Sequence, residues 1–550
     1  MPFVRDLFRL AWCAALLGLA CGAPVRGVAP DSGADSGEVI DAGEEFDAGL
    51  EEDAGVDAGE DAGFDAGDDA GVDGGDDAGF DAGSTPDASL NVYIGIIGTG
   101  QSLSVGVFGA AVSTTQTYGN LKVVDAGGVW TLAPLTEPIR PPPVGGTYEY
   151  PENIFGESPA SGMSNEVSKL TIARGTPSAP IVHSVVGWTG HAMNFIDKDG
   201  GYVSYPSALA EARAAKALLA DAGKSLVYRA VHLTHGESDQ NNARYETELF
   251  ELWQDYNRDL KAITGQSEDI VLIHSQQCSV GPVSGIAPST KAQWSAGVTY
   301  PGKIVLAGPK YQYVYVDKVH LNGRGYRRMA IKYGEVFDAI VNKKEAWQPL
   351  QPLSVTRAGA VISVKFHVPN PPLTWDTTLL PSHQTAHTAW ANGRGFEVQD
   401  STGELTISSV AIAGDVVKVN LAQVPTGTGL VVRYAATADV TGGSGGQQDG
   451  RRGQLCDSDF LVGHDQKFID VDMQNGLAVV DSPDGGTLAG WDVRDAVEGA
   501  GLPPGTLIVS KQSNARVTLS APWFGASGPA KLSFHSDQRN YAVQFSLPVP

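Results

Sequence analysis

Between residues 91 and 308 short apolar runs alternate with stretches whose apolar residues recur every three or four positions. The runs are 91–97, 179–187, 225–236, 269–275 and 302–308, each of strand length and nearly free of charge. One intervening stretch places Tyr245, Leu249, Leu252, Trp253, Tyr256, Leu260 and Ile263 on one helical face and stops at Gly265. Another starts at Gly325 and sets Tyr326, Met329, Tyr333, Phe337 and Ile340 at helical spacing. Five strands alternating with helices predict a parallel sheet covered on both faces, a three-layer α/β/α arrangement. In such sheets ligands sit at the carboxyl ends of the strands. The stretch from about 118 to 155 interrupts the alternation and reads as a long loop carrying Trp130, Pro141 to Pro143, Tyr148 and Tyr150. Such rings suit either sugar faces or plain packing.

After Trp347 the period shortens to two. Ile362, Val364, Phe366 and Val368 alternate with Ser363, Lys365 and His367, the pattern of a half-buried strand. Further strands follow at 396–399, 405–412, 416–421 and 430–435, separated by turns such as Ala413-Gly-Asp415, and predict a β-sandwich. A β-rich piece spans about 470 to 535, and 540–547 reads as a last strand returning to the sandwich. The expected organisation is therefore a signal segment 1–21, a linker 22–88, an α/β domain 89–348, a β-sandwich 349–469 with its last strand at 537–550, and a small β-rich unit 470–536.

The chain has 550 residues and a net charge of −25, which by itself would suggest a cationic partner. Counting changes that picture. Residues 31–87 hold 21 Asp and Glu and no Lys or Arg, so the rest of the chain carries only −4. No basic patch points to nucleic acid. Asp-Ala-Gly repeats through 41–83 with almost nothing to bury and charges that repel, which predicts an extended solvated spacer. The glycine-rich nonapeptide of calcium β-rolls is absent from it. Ahead of the spacer, Arg5 and Arg9 precede an apolar stretch, Leu10 to Leu19, too short to span a bilayer. It ends in Leu17-Gly-Leu-Ala-Cys21, which resembles the lipobox of bacterial lipoproteins, with Gly18 where leucine is usual. That resemblance implies lipidation of Cys21 and a protein exported and anchored in a membrane, at the cell surface or in the periplasm. An ordinary secretory signal, giving a secreted protein, is the alternative. Besides Cys13 and Cys21 the chain holds only Cys278 and Cys456, in different predicted domains, so neither a structural disulfide nor a zinc cluster is expected.

The first apolar run ends in "GTGQSLSVG", residues 98 to 106. It is not the G-x-S-x-G elbow, because position 104 is serine, nor a dinucleotide fingerprint, because position 103 is Leu. A serine at a strand end is either a helix cap or a nucleophile beside free backbone N–H groups. "THGESDQ", Thr234 to Gln240, ends the third run, and "DKVHLNGRGY", Asp317 to Tyr326, precedes the last helix. Together the three blocks resemble the SGNH hydrolases, especially the carbohydrate acetylesterases related to sialate O-acetylesterases, over about residues 90 to 343. The resemblance implies Ser102 as nucleophile, His320 as general base and Asp317 as the carboxylate that orients it. It implies an oxyanion hole from the Ser102 N–H, from Gly162 in "GESPASGMSN", and from His235, which stands where the family has Asn or Gln. Read without it, Asp317 is a helix cap, His320 a surface histidine and Gly162 a glycine at a helix start.

"GWTGHAMNFIDK", Gly187 to Lys198, matches a stretch that lies beside the serine in relatives. Gln101, Trp188, His191 and Glu237 are thus the candidate substrate-side residues, with Glu237 and Asp239 expected to hold loops and the site wall. The implied activity is a surface-tethered esterase removing O-acetyl groups from a polysaccharide or glycan through an acetyl-enzyme, with no metal or organic cofactor. Another short acyl ester or a lysophospholipid as substrate, or a glycan-binding surface protein without catalysis, are the rivals. The β-domains are expected to be accessory to a catalytic unit ending near 347. No protein partner is implied.

Overall fold

Seven strands build the central sheet in a computed structural model that describes residues 91–140, 156–282, 285–381, 383–438, 450–459 and 465–550. All of them belong to one compact unit, Ala78–Pro550. The signal segment with Cys21, all of the acidic linker, Pro141 to Pro143, Tyr148 and Tyr150 lie outside the described residues.

The strands are β1 (Val92–Gly100), β2 (Leu121–Asp125), β3 (Trp130–Pro134), β4 (Ile181–Val185), β5 (Ser225–Thr234), β6 (Val271–Gln276) and β7 (Ile304–Pro309). Their order is β3-β2-β4-β1-β5-β6-β7, so β1, which carries the serine block, lies at the centre. Every neighbouring pair is parallel except β2 with β3. That hairpin lies inside the stretch that reads as a loop. It sits at the sheet edge, and β2 pairs with β4 only through Leu121 and Lys122, so no continuous apolar run marks it. Lys122 is buried there because its ammonium donates to the carbonyls of Thr136 and Pro138.

Helices cover both faces. On one, α1 (Pro159–Ala173) and α6 (Gly323–Phe337) bring Met163, Val167, Met329 and Tyr333 against β1 and β6. On the other, α3 (Ser204–Asp221), α4 (Tyr245–Thr264) and α5 (Pro288–Thr299) pack with Ile97, Val231 and Leu272, while the single turn α2 (Met193–Ile196) adds Met193 and Ile196. The apolar face of α4 is in this core from Tyr245 to Leu260, with Ile263 half-buried against it, at roughly 1.5–3 kcal/mol for each large side chain fully buried. Gly265 ends it in the left-handed region, at φ 80°.

The glycines of β1 have a packing cause. A Cβ on Gly98 would stand 2.4 Å from the His232 ring, and one on Gly100, at φ 136°, 2.2 Å from the Thr234 carbonyl. Glycine therefore lets β5 close against the strand that delivers Ser102.

Beyond Trp347, two four-stranded antiparallel sheets face each other. One holds Gln351–Ala358, Val361–His367, Ile407–Ala413 and Val416–Leu421; the other holds Phe396–Asp400, Gly403–Glu404, Val431–Tyr434 and Phe545–Pro548. The terminal strand pairs Phe545 with Tyr434 and Pro548 with Val431. A six-stranded antiparallel sheet runs from Lys467 to Ser536. The sandwich core is not self-contained, because Cys278 and Tyr311 of the α/β part are buried within it. Tyr311 donates its hydroxyl to the Ala542 carbonyl at 2.6 Å, and Gln276 and Gln544 exchange side-chain and backbone hydrogen bonds. Cys278 and Cys456 are both buried free thiols.

Buried ion pairs tie the six-stranded sheet to the rest. Arg494 donates to Asp376 at 2.7 Å, to the Tyr541 hydroxyl at 2.6 Å and to the Gln312 carbonyl at 3.0 Å. Arg324, at the start of α6, pairs with Asp495 at 2.7 Å and Asp465 at 3.1 Å and lies over the Trp491 ring. Charges this deep persist only when such partners compensate their lost hydration.

Candidate active site

Ser102 lies one residue beyond the end of β1, after Gln101, and opens a single 3-10 turn, Ser102–Ser104, rather than a long helix. It caps nothing. Ser104 donates its hydroxyl to the Gln101 carbonyl at 2.7 Å, which tightens the turn. The Ser102 N–H has no hydrogen-bond partner among the described residues.

Asp317 and His320 lie at the tip of a loop closed by the Tyr315–Leu321 bridge and by a hydrogen bond from Val316 N–H to the His320 carbonyl at 2.9 Å. Asp317 is not a helix cap; Asn322 caps α6, its Oδ1 accepting from the Gly325 N–H at 2.7 Å. One Asp317 oxygen accepts from the backbone N–H groups of Val319 and His320, at 2.7 and 2.6 Å. The other faces His320 Nδ1 at 2.8 Å. That contact assigns the ring proton to Nδ1 and leaves Nε2, 2.9 Å from Ser102 Oγ, to accept the serine hydroxyl proton. Partial burial would push the Asp317 carboxyl up, but the His320 side chain and the two N–H donors outweigh it and hold it at about 2. The structure thus brings Ser102, His320 and Asp317 into one hydrogen-bonded chain at the carboxyl end of the central strand.

His235 is placed otherwise. Its Nε2–H donates to the His191 carbonyl and its Nδ1 accepts from the Tyr245 hydroxyl, both at 2.9 Å. Burial lowers its pKa, so the ring is neutral with one proton, and that proton is already engaged. It is not available to an oxyanion. Gly162 is also corrected: it lies inside α1 with its N–H in the helix, and a Cβ there would stand 2.7 Å from Ala330 of α6. It is a helix-packing glycine, and two crossing helices give no local pattern by which sequence could tell it from a donor.

The remaining candidates hold the walls. Gln101 accepts from the Ser238 N–H at 3.1 Å, tying the third block to the serine turn. The Trp188 backbone N–H donates to the Gly100 carbonyl at 2.8 Å, and the Trp188 ring stacks on His191 at 4.3 Å. Glu237 forms a buried ion pair with Lys310 and accepts from Ser279. Asp239 accepts from the Met193 N–H at 2.6 Å and fixes the loop after β4. Sequence reading missed Asp492, which accepts from the Asn322 side chain at 3.1 Å only two residues past His320, because 170 positions separate the pair. Among the described residues no cluster of His, Cys, Asp or Glu is placed to hold a metal ion.

No protein-family model and no curated protein matches the chain. Solved structures similar to it include a carbohydrate acetylesterase from Xanthomonas citri, 13% identical with a TM-score of 0.41, covering 63% of this chain and 75% of that one. A protein from Arabidopsis thaliana is 16% identical with a TM-score of 0.33, covering 45% of this chain and 98% of its own. NanS is 14% identical with a TM-score of 0.25, covering 35% and 69%. At these values the reading of the site rests on its own residues.

Proposed function

We propose that the protein is a serine esterase of the SGNH type that removes O-acetyl groups from a carbohydrate. The observation that carries this reading is the Ser102–His320–Asp317 chain, with spacings of 2.9 and 2.8 Å at a strand end. Ser102 Oγ attacks the ester carbonyl carbon as its proton passes to His320 Nε2. Asp317, ionised at neutral pH, stabilises the imidazolium. The oxyanion takes a hydrogen bond from the Ser102 N–H. Collapse breaks the bond to the sugar oxygen, which receives the proton from His320, and leaves acetyl-Ser102. Water, deprotonated by the same ring, then releases acetate and restores the serine. Each step uses groups the chain itself provides.

The acetyl and carbohydrate parts of this reading draw on the motif resemblance of the three blocks. The test is acetate release from acetylated xylan, pectin, alginate and sialoglycans by the wild type and by Ser102→Ala. Release from at least one polymer, lost in the variant, is expected; hydrolysis confined to longer acyl esters or lysophospholipids would overturn the substrate assignment. The lipid anchor on Cys21, with the acidic spacer as tether, belongs to the same proposal. Cys21→Ala is expected to move the protein from the membrane to the soluble fraction, and an unchanged distribution would remove the anchor.

A further inference from the structure

Phe108 lies six residues past Ser102 and its ring stands edge-on to the His320 ring, with centroids 5.0 Å apart and planes at 88°. It is 66% exposed, although Val107 and Gly109 on either side are buried. Its backbone has φ 62°, a left-handed conformation that a phenylalanine adopts only under constraint. The constraint is visible. The Gly109 N–H bonds the Gly106 carbonyl at 3.0 Å, which makes Phe108 the third residue of a β-turn, where a positive φ ordinarily calls for glycine. Val107 N–H donates to the Ser102 carbonyl at 3.2 Å, and the Tyr326 hydroxyl donates to the Val107 carbonyl at 2.9 Å. The Glu157 N–H holds the Gly109 carbonyl at 3.0 Å. Turn, nucleophile strand and α6 together force the ring outward, where burial repays nothing. Backbone strain of this kind clusters at active sites and ligand clamps.

We propose that Phe108 is the aromatic wall on which the sugar ring of the ester lies while its acetyl group reacts at Ser102. This rests on the esterase reading above. A face this open exceeds what an acetyl methyl covers, whereas the C–H face of a pyranose is flat, apolar and of matching size. The ring's contact with His320 places it on the side of the site where the base must reach the leaving sugar oxygen.

The experiment compares the full chain with Phe108→Ala, Phe108→Gly and Phe108→Tyr on glucose pentaacetate and on ethyl acetate, with Ser102→Ala as the control. Glycine takes φ 62° freely, so Phe108→Gly is expected to melt at or above the wild-type temperature and separates binding from folding. In Ala and Gly the ratio of kcat/KM for the sugar ester to that for ethyl acetate should fall by about tenfold or more, carried mainly by KM, and Tyr should restore it. An unchanged ratio, or an equal loss on both esters, overturns the role of Phe108 while Ser102-dependent turnover leaves the esterase reading standing. Wild-type turnover that survives Ser102→Ala overturns both.

Discussion

The chain from Ser102 through His320 to Asp317 and the cluster around Arg494 are both networks of polar groups, set in opposite surroundings. Asp317 is 41% exposed on a loop tip, and its partner His320 has one ring nitrogen directed at a hydroxyl rather than at a counter-charge. Arg494, Asp376, Asp537 and Arg539 are all nearly inaccessible and each faces an opposite charge. Burial would raise the carboxyls of Asp376 and Asp537, but the two guanidiniums outweigh it and hold both well below the usual range. The first network can pass a proton because its charge is not locked by burial. The second cannot, and it ties down the segments on either side of His320, Arg494 donating to the Gln312 carbonyl and Asp537 facing Arg328 of α6. Asn322 and Arg324, just past His320, are held by Asp492 and by Asp495 with Asp465, all from the distal β-rich chain.

The strongest way to break this comparison is to remove the distal part altogether. A chain ending at 348 would expose Tyr311 and Cys278, now in the sandwich core, and lose the bonds from Tyr311 and Gln276 to the 542–544 segment. It is expected to aggregate or lose cooperative unfolding, contrary to the separable catalytic unit that the pattern suggests. A folded monomer with full esterase activity would show that the junction is dispensable.

Two substitutions then separate the networks. Asp317→Asn keeps an acceptor for the two N–H groups but no longer sets the His320 tautomer, so kcat should fall by roughly 10³–10⁴-fold with little change in Tm. Arg494→Met leaves Asp376 and Asp537 buried with fewer partners and should cost about 3–5 kcal/mol, read by denaturant unfolding, before any loss of kcat in the folded fraction. If Asp317→Asn unfolds the protein, or Arg494→Met leaves its stability intact, the division of labour is wrong.

The smallest effect concerns pH. Glu137 accepts from Ser158 at 2.7 Å, and burial, with the nearby Glu157 charge, pushes its carboxyl up to about 8. A folded-state value above the unfolded one means that its stabilising contribution is complete below about 4.5 and is lost as pH rises through 8. Wild-type Tm should therefore decline from pH 6 to pH 9 by a few degrees more than that of Glu137→Gln. Parallel curves would place the alkaline sensitivity elsewhere.

What was legible in the sequence was local. Runs of buried strands, the face of α4 and the three short blocks each lie within one continuous stretch of at most 20 residues, and those blocks hold every member of the Ser102–His320–Asp317 chain. What was not legible depends on distant partners. His235 is an open donor until Tyr245 and the His191 carbonyl are seen against it. Gly162 is ambiguous until Ala330 stands across it. The β2–β3 hairpin is hidden because an edge strand needs no apolar run. The dependence of the α/β domain on the sandwich is not legible, because no pattern along the chain records that Tyr311 belongs to the sandwich core.

The central claim is that Ser102 is a nucleophile activated by His320. Labelling with a fluorophosphonate probe, followed by peptide mapping, tests it most directly. The wild type is expected to be modified at Ser102, with no labelling in Ser102→Ala, a sharp loss in His320→Ala and near-normal labelling in Ser104→Ala. Modification that persists in Ser102→Ala, or that maps to another serine, would contradict the account.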